Sequence, residues 1–485
     1  MDSGRIKKLS EKYNRIPVYR ELNITMIQLP LILSGLQEEK NFILLESADK
    51  ATDSGRFTYL CFDPVKIIKA FKDYIVISRN GKSDVIDGYV FDFLNSEIQR
   101  YSSPVIEELG SFNGGFAGYI SYEAVNDTGI LRRPIKLGDG VPVAELALID
   151  DFIVHDNLLK KFYAVTTLYC DDCDLQLKIQ NALARLDEIE NFMIRLIERS
   201  KISYLPLRPF DVTMEFAESD ESFLKKVENI KENISDGEII QGVISRRLEI
   251  KEQINPCNFY LKLRDLNPSP YMYFLKFGDT IITGCSPETH FRLKRKRMLL
   301  KPIAGTAPLS DNRNDRIITK RELLRDEKEK AEHLMLVDLA RNDLGRIAAS
   351  GSVRVKEFMK TEEYSHVVHI VSSVTGILKD GVSLVDAFKE TFPAGTVTGA
   401  PKVRAIELID ECEDFERWAY AGAVGYFGFN GCCDTCITLR TAYFNSGRVY
   451  TQAGAGIVYD SIAQNELNEI KHKLRALSLS MGYAI

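Results

Sequence analysis

Short apolar runs in the second half of the chain constrain the fold most strongly. From about residue 216 onward, stretches with helical periodicity such as ESFLKKVENIKENISDG alternate with β-like runs, among them GVISRRLEI, YMYFLKFG and AGAVGYFGF. Several of these runs follow one another with only a turn between them, which favours antiparallel pairing, because parallel strands need long crossover connections. The pattern therefore predicts antiparallel sheets accompanied by helices.

Length and charge exclude several classes of protein. A chain of 485 residues, 45% of them hydrophobic, is too long for one small core, so we expect two or three lobes or one large folded unit. The net charge of -6 argues against a general binder of nucleic acid or of membrane surfaces. An anionic ligand must therefore meet a local cluster of Lys and Arg. No apolar run approaches the roughly 20 residues that span a bilayer, and the first residues resemble no signal peptide, so we predict a cytoplasmic protein.

The texture of the sequence divides the chain into two regions. Residues 1 to about 200 mix short β-like runs with a glycine-rich joint, FNGGFAGYISYE, and a helical stretch, LQLKIQNALARLDEIENFMIRLIER. Residues 201–215 contain Pro206 and Pro209 and have no clear period, which indicates a linker. We therefore predict an N-terminal region, 1–205, and a C-terminal region, 216–485.

Nine cysteines in such a long chain are typical of reduced thiols rather than of a disulfide framework. Two C-x-x-C pairs, Cys170/Cys173 and Cys433/Cys436, could be imagined as zinc ligands. Structural zinc sites usually keep their ligand pairs closer together in sequence, and Cys436 enters an apolar run. A turn followed by a strand is the simpler interpretation of the second pair.

A charged stretch that becomes apolar marks a candidate site. The residues from Thr319 to Ile347 form one long amphipathic helix candidate, in which a charged half precedes apolar positions at Leu334, Leu336, Val337 and Leu339. The change occurs at Glu332 and His333. A glutamate at such a boundary can point into a site, although a solvated helix face is the alternative.

Two further segments combine small residues with a helix. In TQAGAGIVYDSIAQNELNEIKHKL, the AGAG amides can approach an anion closely, and Glu466, Glu469 and Lys473 share one face of the helix that follows. In FPAGTVTGAPKVRAIELID, a helix begins near Pro401, and the amides of Gly399 and Ala400 could bind a carboxylate or a phosphate. The second segment is not a Walker loop, because the G-x-x-x-x-G-K-[ST] order is absent.

Taken together, these segments resemble one family. EKAEHLMLVDLARND, EEYSHVVHIVSSVTG, FPAGTVTGAPKVRAIELID, YAGAVGYFGF and AGAGIVYDS, with CSPE and PIAGT upstream, are similar to the chorismate-utilising enzymes, most of all to their anthranilate synthase branch. The resemblance covers most of residues 216–485. It implies an α+β fold in which two halves with packed antiparallel β-sheets are flanked by helices, with the active-site cleft between them.

The resemblance also implies site residues. It assigns Mg²⁺ to Glu332 and Glu469, with Glu466 nearby, and it matches Glu288 in CSPE to a general acid that protonates the departing C4 hydroxyl of chorismate. His369 aligns with a histidine implicated in the loss of pyruvate, and a satisfied core histidine is the alternative. Thr396 is the remaining catalytic candidate, and the substrate-binding candidates are Gly305, Thr306, Gly399, Ala400, Tyr420, Arg440, Gly454, Gly456 and Lys473.

The absence of two lysines narrows the reaction that the resemblance implies. Some members of the family have a lysine nucleophile where this chain has Ala304, and others have a water-activating lysine where it has Gln241. Ammonia is then the expected nucleophile, and a glutamine amidotransferase subunit is the expected partner that supplies it. The loop after PIAGT continues as APLSDNR and departs from the common family pattern, which puts the contacts of an arginine there in doubt.

The N-terminal region resembles the part of the family that binds L-tryptophan as a feedback inhibitor. The segments LLES and NPSPYM imply an inhibitor site that includes Ser47, Pro268, Tyr271 and Met272, with Glu46 beside Ser47. Ordinary strand packing is the alternative. Two other functions stay open: an aminodeoxychorismate synthase component of the same fold, and a subunit that senses ligands without catalysis.

Overall fold

The computed structural model describes residues 1–24, 29–47, 55–170, 174–200, 214–251, 253–310, 312–363, 367–445 and 447–482. Positions 201–213 of the predicted linker, and Cys173, lie outside the described residues. Of the described helices, none is long and apolar enough to cross a membrane.

Labels follow the order of the chain. The α-helices that the described ranges contain are α1 (Ser3–Ser10), α2 (Val90–Arg100), α3 (Leu175–Arg199), α4 (Asp220–Ser235), α5 (Pro256–Leu266), α6 (Arg313–Leu323), α7 (Glu327–Ile347), α8 (Leu384–Thr391), α9 (Lys402–Cys412) and α10 (Ala463–Met481). The strands of these ranges are β1 (Arg15–Leu22), β2 (Asn41–Glu46), β3 (Phe57–Phe62), β4 (Lys66–Ala70), β5 (Tyr74–Arg79), β6 (Lys82–Asp87), β7 (Gly115–Ile120), β8 (Ala144–Ile149), β9 (Phe152–Asp156), β10 (Lys161–Tyr169), β11 (Met214–Phe216), β12 (Gln241–Ile250), β13 (Tyr271–Phe277), β14 (Thr280–Ser286), β15 (Thr289–Lys294), β16 (Arg297–Leu300), β17 (Ile303–Pro308), β18 (Arg354–Glu363), β19 (Val367–Ile377), β20 (Gly399–Ala400), β21 (Ala423–Gly428), β22 (Cys433–Ile437), β23 (Thr441–Asn445) and β24 (Arg448–Ile457).

The described strands form two sheets of twelve strands each. The first sheet has the order β1-β10-β9-β3-β2-β13-β14-β23-β24-β12-β11, with β20 paired to β12. The second has the order β17-β19-β16-β15-β22-β21-β7-β8-β4-β5-β6, with β18 paired to β19. Where strands join the two regions of the chain, as in β2 with β13 and β7 with β21, the pairing is antiparallel. Each sheet therefore combines strands from the N-terminal and the C-terminal region.

The two sheets pack face to face, with helices outside them. Alternate residues of each strand point to opposite sides, so Tyr273 and Leu275 of β13 lie in the core between the sheets, whereas Met272 and Phe274 lie in a core that includes α3, α4, α5 and α10. Aromatic rings of the two sheets contact each other: the ring centroids of Tyr426 on β21 and Tyr59 on β3 lie 6.0 Å apart. The predicted α+β fold with packed antiparallel sheets and flanking helices is confirmed.

The predicted single helix from Thr319 to Ile347 is wrong, because two helices, α6 and α7, divide this stretch. The side chain of Asp326 accepts hydrogen bonds from the backbone N–H groups of Lys328 (2.9 Å) and Glu329 (3.1 Å), so it begins a new helix there. The predicted change from solvated to buried residues is correct, because His333 is fully buried and Leu336 and Val337 are nearly so, although Leu334 is exposed.

Candidate active site

Glu288 is a buried carboxyl in the turn between β14 and β15. One of its oxygens accepts a hydrogen bond from the Thr396 hydroxyl at 2.7 Å and a longer one from the backbone N–H of Ile303 at 3.4 Å. Burial raises the pKa of Glu288 to about 8, and these two hydrogen bonds only partly oppose the effect. The group therefore holds a proton at neutral pH.

His369, on β19, is held as a neutral base. Its Nδ1 atom lies 3.0 Å from the carbonyl oxygen of Gly305 and 3.0 Å from the hydroxyl of Thr306. A carbonyl only accepts, so the neutral ring has its proton on Nδ1 and the lone pair on Nε2. Burial, with a smaller contribution from the positive charges of Arg440 and Lys473, lowers the pKa of His369 to about 4, and the hydrogen bond to Gly305 opposes this only in part.

An irregularity in β17 turns the Gly305 carbonyl toward His369. The pairing of β17 with β19 shifts between Ala304, which lies opposite Ile370, and Thr306, which lies opposite His369. Gly305 has a φ of +62°, in the left-handed region that favours glycine, and a side chain there would meet Glu329 at 3.0 Å. Ala304, which is buried and has only a methyl side chain, lies immediately before this irregularity.

Carboxylates from α7 and α10 lie within electrostatic range of one another. Glu332 accepts a hydrogen bond from the side-chain amide of Gln241 at 3.1 Å. Burial raises the pKa of Glu332, and the charge of Glu469 raises it further. The pKa of Glu466 is raised by burial and by Glu469, and that of Glu329 by burial and by Glu332. The cluster therefore concentrates negative charge that a cation would relieve.

The donor set fits a hard cation that keeps other ligands. In the described ranges, no group of three or more His, Cys, Asp or Glu side chains is arranged to hold a metal ion by itself. Mg²⁺ typically binds one or two carboxylates and completes its shell with water and substrate oxygens. Glu332, which is half-buried, and Glu469, which is exposed, are oxygen ligands of the required kind.

Lys473 lies beside this cluster, and both Lys473 and Arg440 lie within electrostatic range of His369. Lys473 donates from Nζ to the carbonyl oxygen of Gly454 at 2.8 Å and forms an ion pair with Glu469 at 2.6 Å. Arg440 is half-buried and has a φ of +47°, and no carboxylate of the described residues forms an ion pair with its guanidinium. A ligand carboxylate could therefore occupy the position of a counter-ion to Arg440.

The predicted small residues lie where other side chains approach the backbone closely. A β-carbon at Gly454 would come within 2.5 Å of the Tyr420 hydroxyl, and one at Gly456 within 2.7 Å of the Gln241 amide nitrogen. Gly399 and Ala400 form β20 and lie opposite Gly242 and Gln241, rather than in the first turn of α9. The AGAG segment is likewise part of a strand, β24.

Three of the four predicted inhibitor residues line a separate cavity, called the second cavity below, which has a volume of about 210 Å³ and lies between the two sheets. Ser47, Tyr271 and Met272 line it, but Pro268 is not among its described lining residues, and the side chain of Met272 packs in the core on the helical side of the first sheet. The Ser47 hydroxyl is buried and has no hydrogen-bond partner among the residues described. Glu46 accepts hydrogen bonds from Tyr260 and Arg264.

Sequence reasoning missed three residues of these sites. Glu329 lies one helical turn before Glu332, and that spacing could have indicated it. Arg292 and Asp434 lie opposite each other on β15 and β22, form an ion pair at 2.9 Å, and both contact the Tyr271 hydroxyl in the second cavity. No sequence signal connects these two residues, because 142 positions separate them.

The cysteine pair on β22 cannot chelate one metal ion. Cys433 lies in the core between the second sheet and its helices, whereas Cys436 lies in the core between the sheets. Residues three apart on a strand point to opposite faces. Both thiols are buried, and burial raises their pKa values.

A buried, protonated carboxyl, a neutral imidazole and two cations are groups that suit an enzyme acting on a small anionic substrate. Residues 40–478 match the family model for chorismate binding enzymes, so the chain belongs to this family. Component 1 of anthranilate synthase from Acetivibrio thermocellus is 35% identical over 477 residues, which cover 97% of this chain and 96% of that protein. The corresponding protein from Aquifex aeolicus is 38% identical over 489 residues, covering 99% of this chain and 97% of that one.

Solved structures agree with the fold. Anthranilate synthase component I from Streptococcus pneumoniae superposes with a TM-score of 0.74 at 34% identity and covers 87% of this chain and 92% of that chain. The menaquinone-specific isochorismate synthase from Escherichia coli has a TM-score of 0.70 at 18% identity and covers 99% of this chain and 98% of that chain. The second likeness concerns the fold alone.

Proposed function

We propose that the chain is an anthranilate synthase component 1, which converts chorismate and ammonia into anthranilate and pyruvate. The observation that supports this most directly is that a proton-holding Glu288 and a neutral His369 both contact β17, at Ile303 and at Gly305, on either side of Ala304. Relatives of that name, 35 to 38% identical over nearly the whole chain, support the same assignment.

Arg440 and Lys473 would bind the enolpyruvyl carboxylate of chorismate. The opposite end of the substrate has a ring carboxylate, which we assign to the side of Glu332 and Glu469. Mg²⁺ bound there would neutralise that carboxylate and fix its orientation. Because Glu332 also accepts a hydrogen bond from Gln241, one of its oxygens keeps a defined direction.

Glu288 would act first, as a general acid. Ammonia adds at C2 of the ring while the C4 hydroxyl takes the proton of Glu288 and leaves as water. Thr396, which donates to Glu288, fixes the direction of the carboxyl group. Loss of the C2 proton and of the enolpyruvyl group as pyruvate then gives the aromatic product, and the Nε2 lone pair of His369 is suited to assist this second step.

The ammonia would come from glutamine, hydrolysed by a glutamine amidotransferase subunit. At neutral pH most free ammonia is protonated and therefore not nucleophilic, so a partner that releases it beside the cleft would raise its effective concentration. The name component 1 of the relatives is consistent with such a pair. We expect the complex to act in the cytoplasm.

Product identification tests the proposed function. Purified chain is incubated with chorismate, Mg²⁺ and a high concentration of ammonium at mildly alkaline pH. We expect anthranilate, recognised by its fluorescence and confirmed by its mass, only when Mg²⁺ is present. An amino product that retains the enolpyruvyl group would instead identify an aminodeoxychorismate synthase, and binding without turnover would identify a sensing subunit.

The second cavity is proposed to bind L-tryptophan as a feedback inhibitor. Its volume of about 210 Å³ and its aromatic lining, which includes Tyr59 and Tyr426, suit an indole ring. The unpartnered hydroxyl of Ser47 would accept a hydrogen bond from the ammonium group. Chorismate and tryptophan should then weaken each other's binding by the same factor.

Replacing Ser47 by alanine should weaken inhibition without changing uninhibited turnover. A hydrogen bond to a charged group contributes about 1.5–3 kcal/mol, so half-inhibition should need about tenfold more tryptophan or beyond. The matched control is Ser103→Ala, because Ser103 is buried to the same degree and its hydroxyl also lacks a partner in the described part of the chain. An unchanged inhibition curve for S47A would place the inhibitor elsewhere.

A further inference from the structure

Arg417 and Glu413 form an ion pair inside the protein, next to the loop that contains Thr396. Their side chains are 2% and 3% exposed, and the guanidinium donates to both carboxylate oxygens at 2.7 and 2.8 Å. Glu413 also accepts hydrogen bonds from the backbone N–H and the hydroxyl of Ser245, both at 2.7 Å. The Glu413 carboxylate is therefore fixed to β12 by these two hydrogen bonds, and the same carboxylate binds Arg417.

The terminal nitrogens of Arg417 connect β12 to the loop of residues 395–398, which contains Thr396 and is called the catalytic loop below. One terminal nitrogen donates to the carbonyl oxygen of Val397 at 2.8 Å, and the other donates to that of Val243 at 2.6 Å. Strand pairing between β20 and β12 covers only residues 399–400 and 241–242, and the N–H of Val243 then donates to Thr398 at 2.8 Å. Beyond this point β12 and the chain before β20 separate. The Arg417 guanidinium connects them there, because it donates to Val243 on one side and to Val397 on the other.

We propose that Arg417 is a positioning residue of the active site: with Glu413 behind it, it fixes the loop of residues 395–398 so that Thr396 donates to Glu288. Val397 is the neighbour of Thr396 in sequence, so the carbonyl that Arg417 holds belongs to the residue next to the catalytic hydroxyl. This inference rests on the proposed roles of Glu288 and Thr396.

Stability alone does not account for this arrangement. A buried ion pair can often be replaced by apolar residues of similar volume with no loss of stability, because the desolvation cost of two charges offsets their attraction. A guanidinium differs from an apolar side chain in its planar array of five directional donors. Here those donors reach a carboxylate and two carbonyl groups on different elements, which is a means of fixing geometry.

The test replaces Arg417 by lysine. Lysine keeps the positive charge opposite Glu413 but cannot reach both carbonyls in one plane. We expect kcat for anthranilate formation to fall about tenfold to a hundredfold, as for a small displacement of a catalytic group, while KM for chorismate changes little. The matched control is Arg15→Lys, since Arg15 is also fully buried, pairs with Asp150 and donates to a backbone carbonyl, that of Ile149, but belongs to the edge strand β1. R15K should leave kcat unchanged.

A pH profile separates positioning from a general loss of stability. The hydrogen bond from Thr396 lowers the pKa of Glu288, so its loss in R417K should move the alkaline limb of the profile to higher pH. Glu288 lines a small cavity whose other titratable lining residues are His290, Lys301 and Asp343. The R417K substitution changes none of these three residues. R417K and T396V should also be non-additive, because they remove the same contact.

Hydrogen exchange provides a readout that does not depend on activity. Amides of residues 395–400 should exchange faster in R417K than in the wild type or in R15K. If R417K does not fold, the second variant is Glu413→Asp. It shortens the side chain that binds Arg417 by one methylene group and keeps both charges, and the same measurements apply to it. Unchanged exchange, kcat and pH profile would overturn the proposal. If the wild type makes no anthranilate, the proposed function fails, and the exchange data still decide whether Arg417 holds the loop.

Discussion

Replacing Glu288 by glutamine is expected to lower kcat by about two to four orders of magnitude, with little change in the affinity for chorismate. Glutamine has nearly the same shape but no acidic proton, and general acid catalysis typically contributes factors of that size. Steady-state kinetics with chorismate and saturating ammonium measure the effect. The matched control is Glu145→Gln, since Glu145 is also buried but pairs with Lys69 and Tyr119 away from the site. A loss of less than tenfold in E288Q would exclude the acid role.

The pH dependence follows from the same group. In its proposed role as general acid, Glu288 must be protonated, and its pKa is raised to about 8, so kcat/KM should be retained below that pH and fall as the pH rises through it. The concentration of free ammonia, by contrast, increases as the pH rises. Its concentration must therefore be held constant across the series. In E288Q this alkaline limb should disappear.

Replacing Glu332 by glutamine is expected to abolish the Mg²⁺ dependence and to lower turnover by roughly a hundredfold to a thousandfold, because several kcal/mol of charge stabilisation are lost. The same change should stabilise the metal-free protein. Burial and Glu469 both raise the pKa of Glu332, which means that its charged form is disfavoured in the folded state. Removing that charge relieves the penalty, in the manner of other stability-function conflicts at active sites.

Thermal unfolding with and without Mg²⁺ separates these two effects. In the wild type, Mg²⁺ should raise Tm by preferential binding to the folded state, whereas E332Q should start at a higher Tm and show a smaller shift. Glu327→Gln is the control on the same helix, because Glu327 is exposed and pairs only with Lys330 among the described residues. An unaltered Mg²⁺ shift in E332Q would remove Glu332 from the proposed ligand set.

Local patterns were sufficient for some elements and insufficient for others. The break between α6 and α7 had a signal in the sequence, since Asp326 and Glu329 have the spacing of a helix-capping pair, but the hydrophobic period alone suggested continuity. The small residues of the AGAG segment indicated only that its backbone could approach an anion closely, and no secondary structure was predicted for it. The segment is part of β24, because β12 pairs with it from Ala453 to Gly456, and this pairing outweighs the poor strand propensity of glycine.

The sequence by itself determined the family and, through the resemblance of its motifs to that family, most of the candidate side chains. Glu288, His369, Glu332 and Arg440 were all named in this way. The tertiary structure alone decided their protonation states, since the pKa values of Glu288 and His369 depend on burial by distant segments. It also decided the contact of Arg417 with the catalytic loop. Burial and long-range pairing arise from the packing of two sheets, and a local pattern of residues does not specify them.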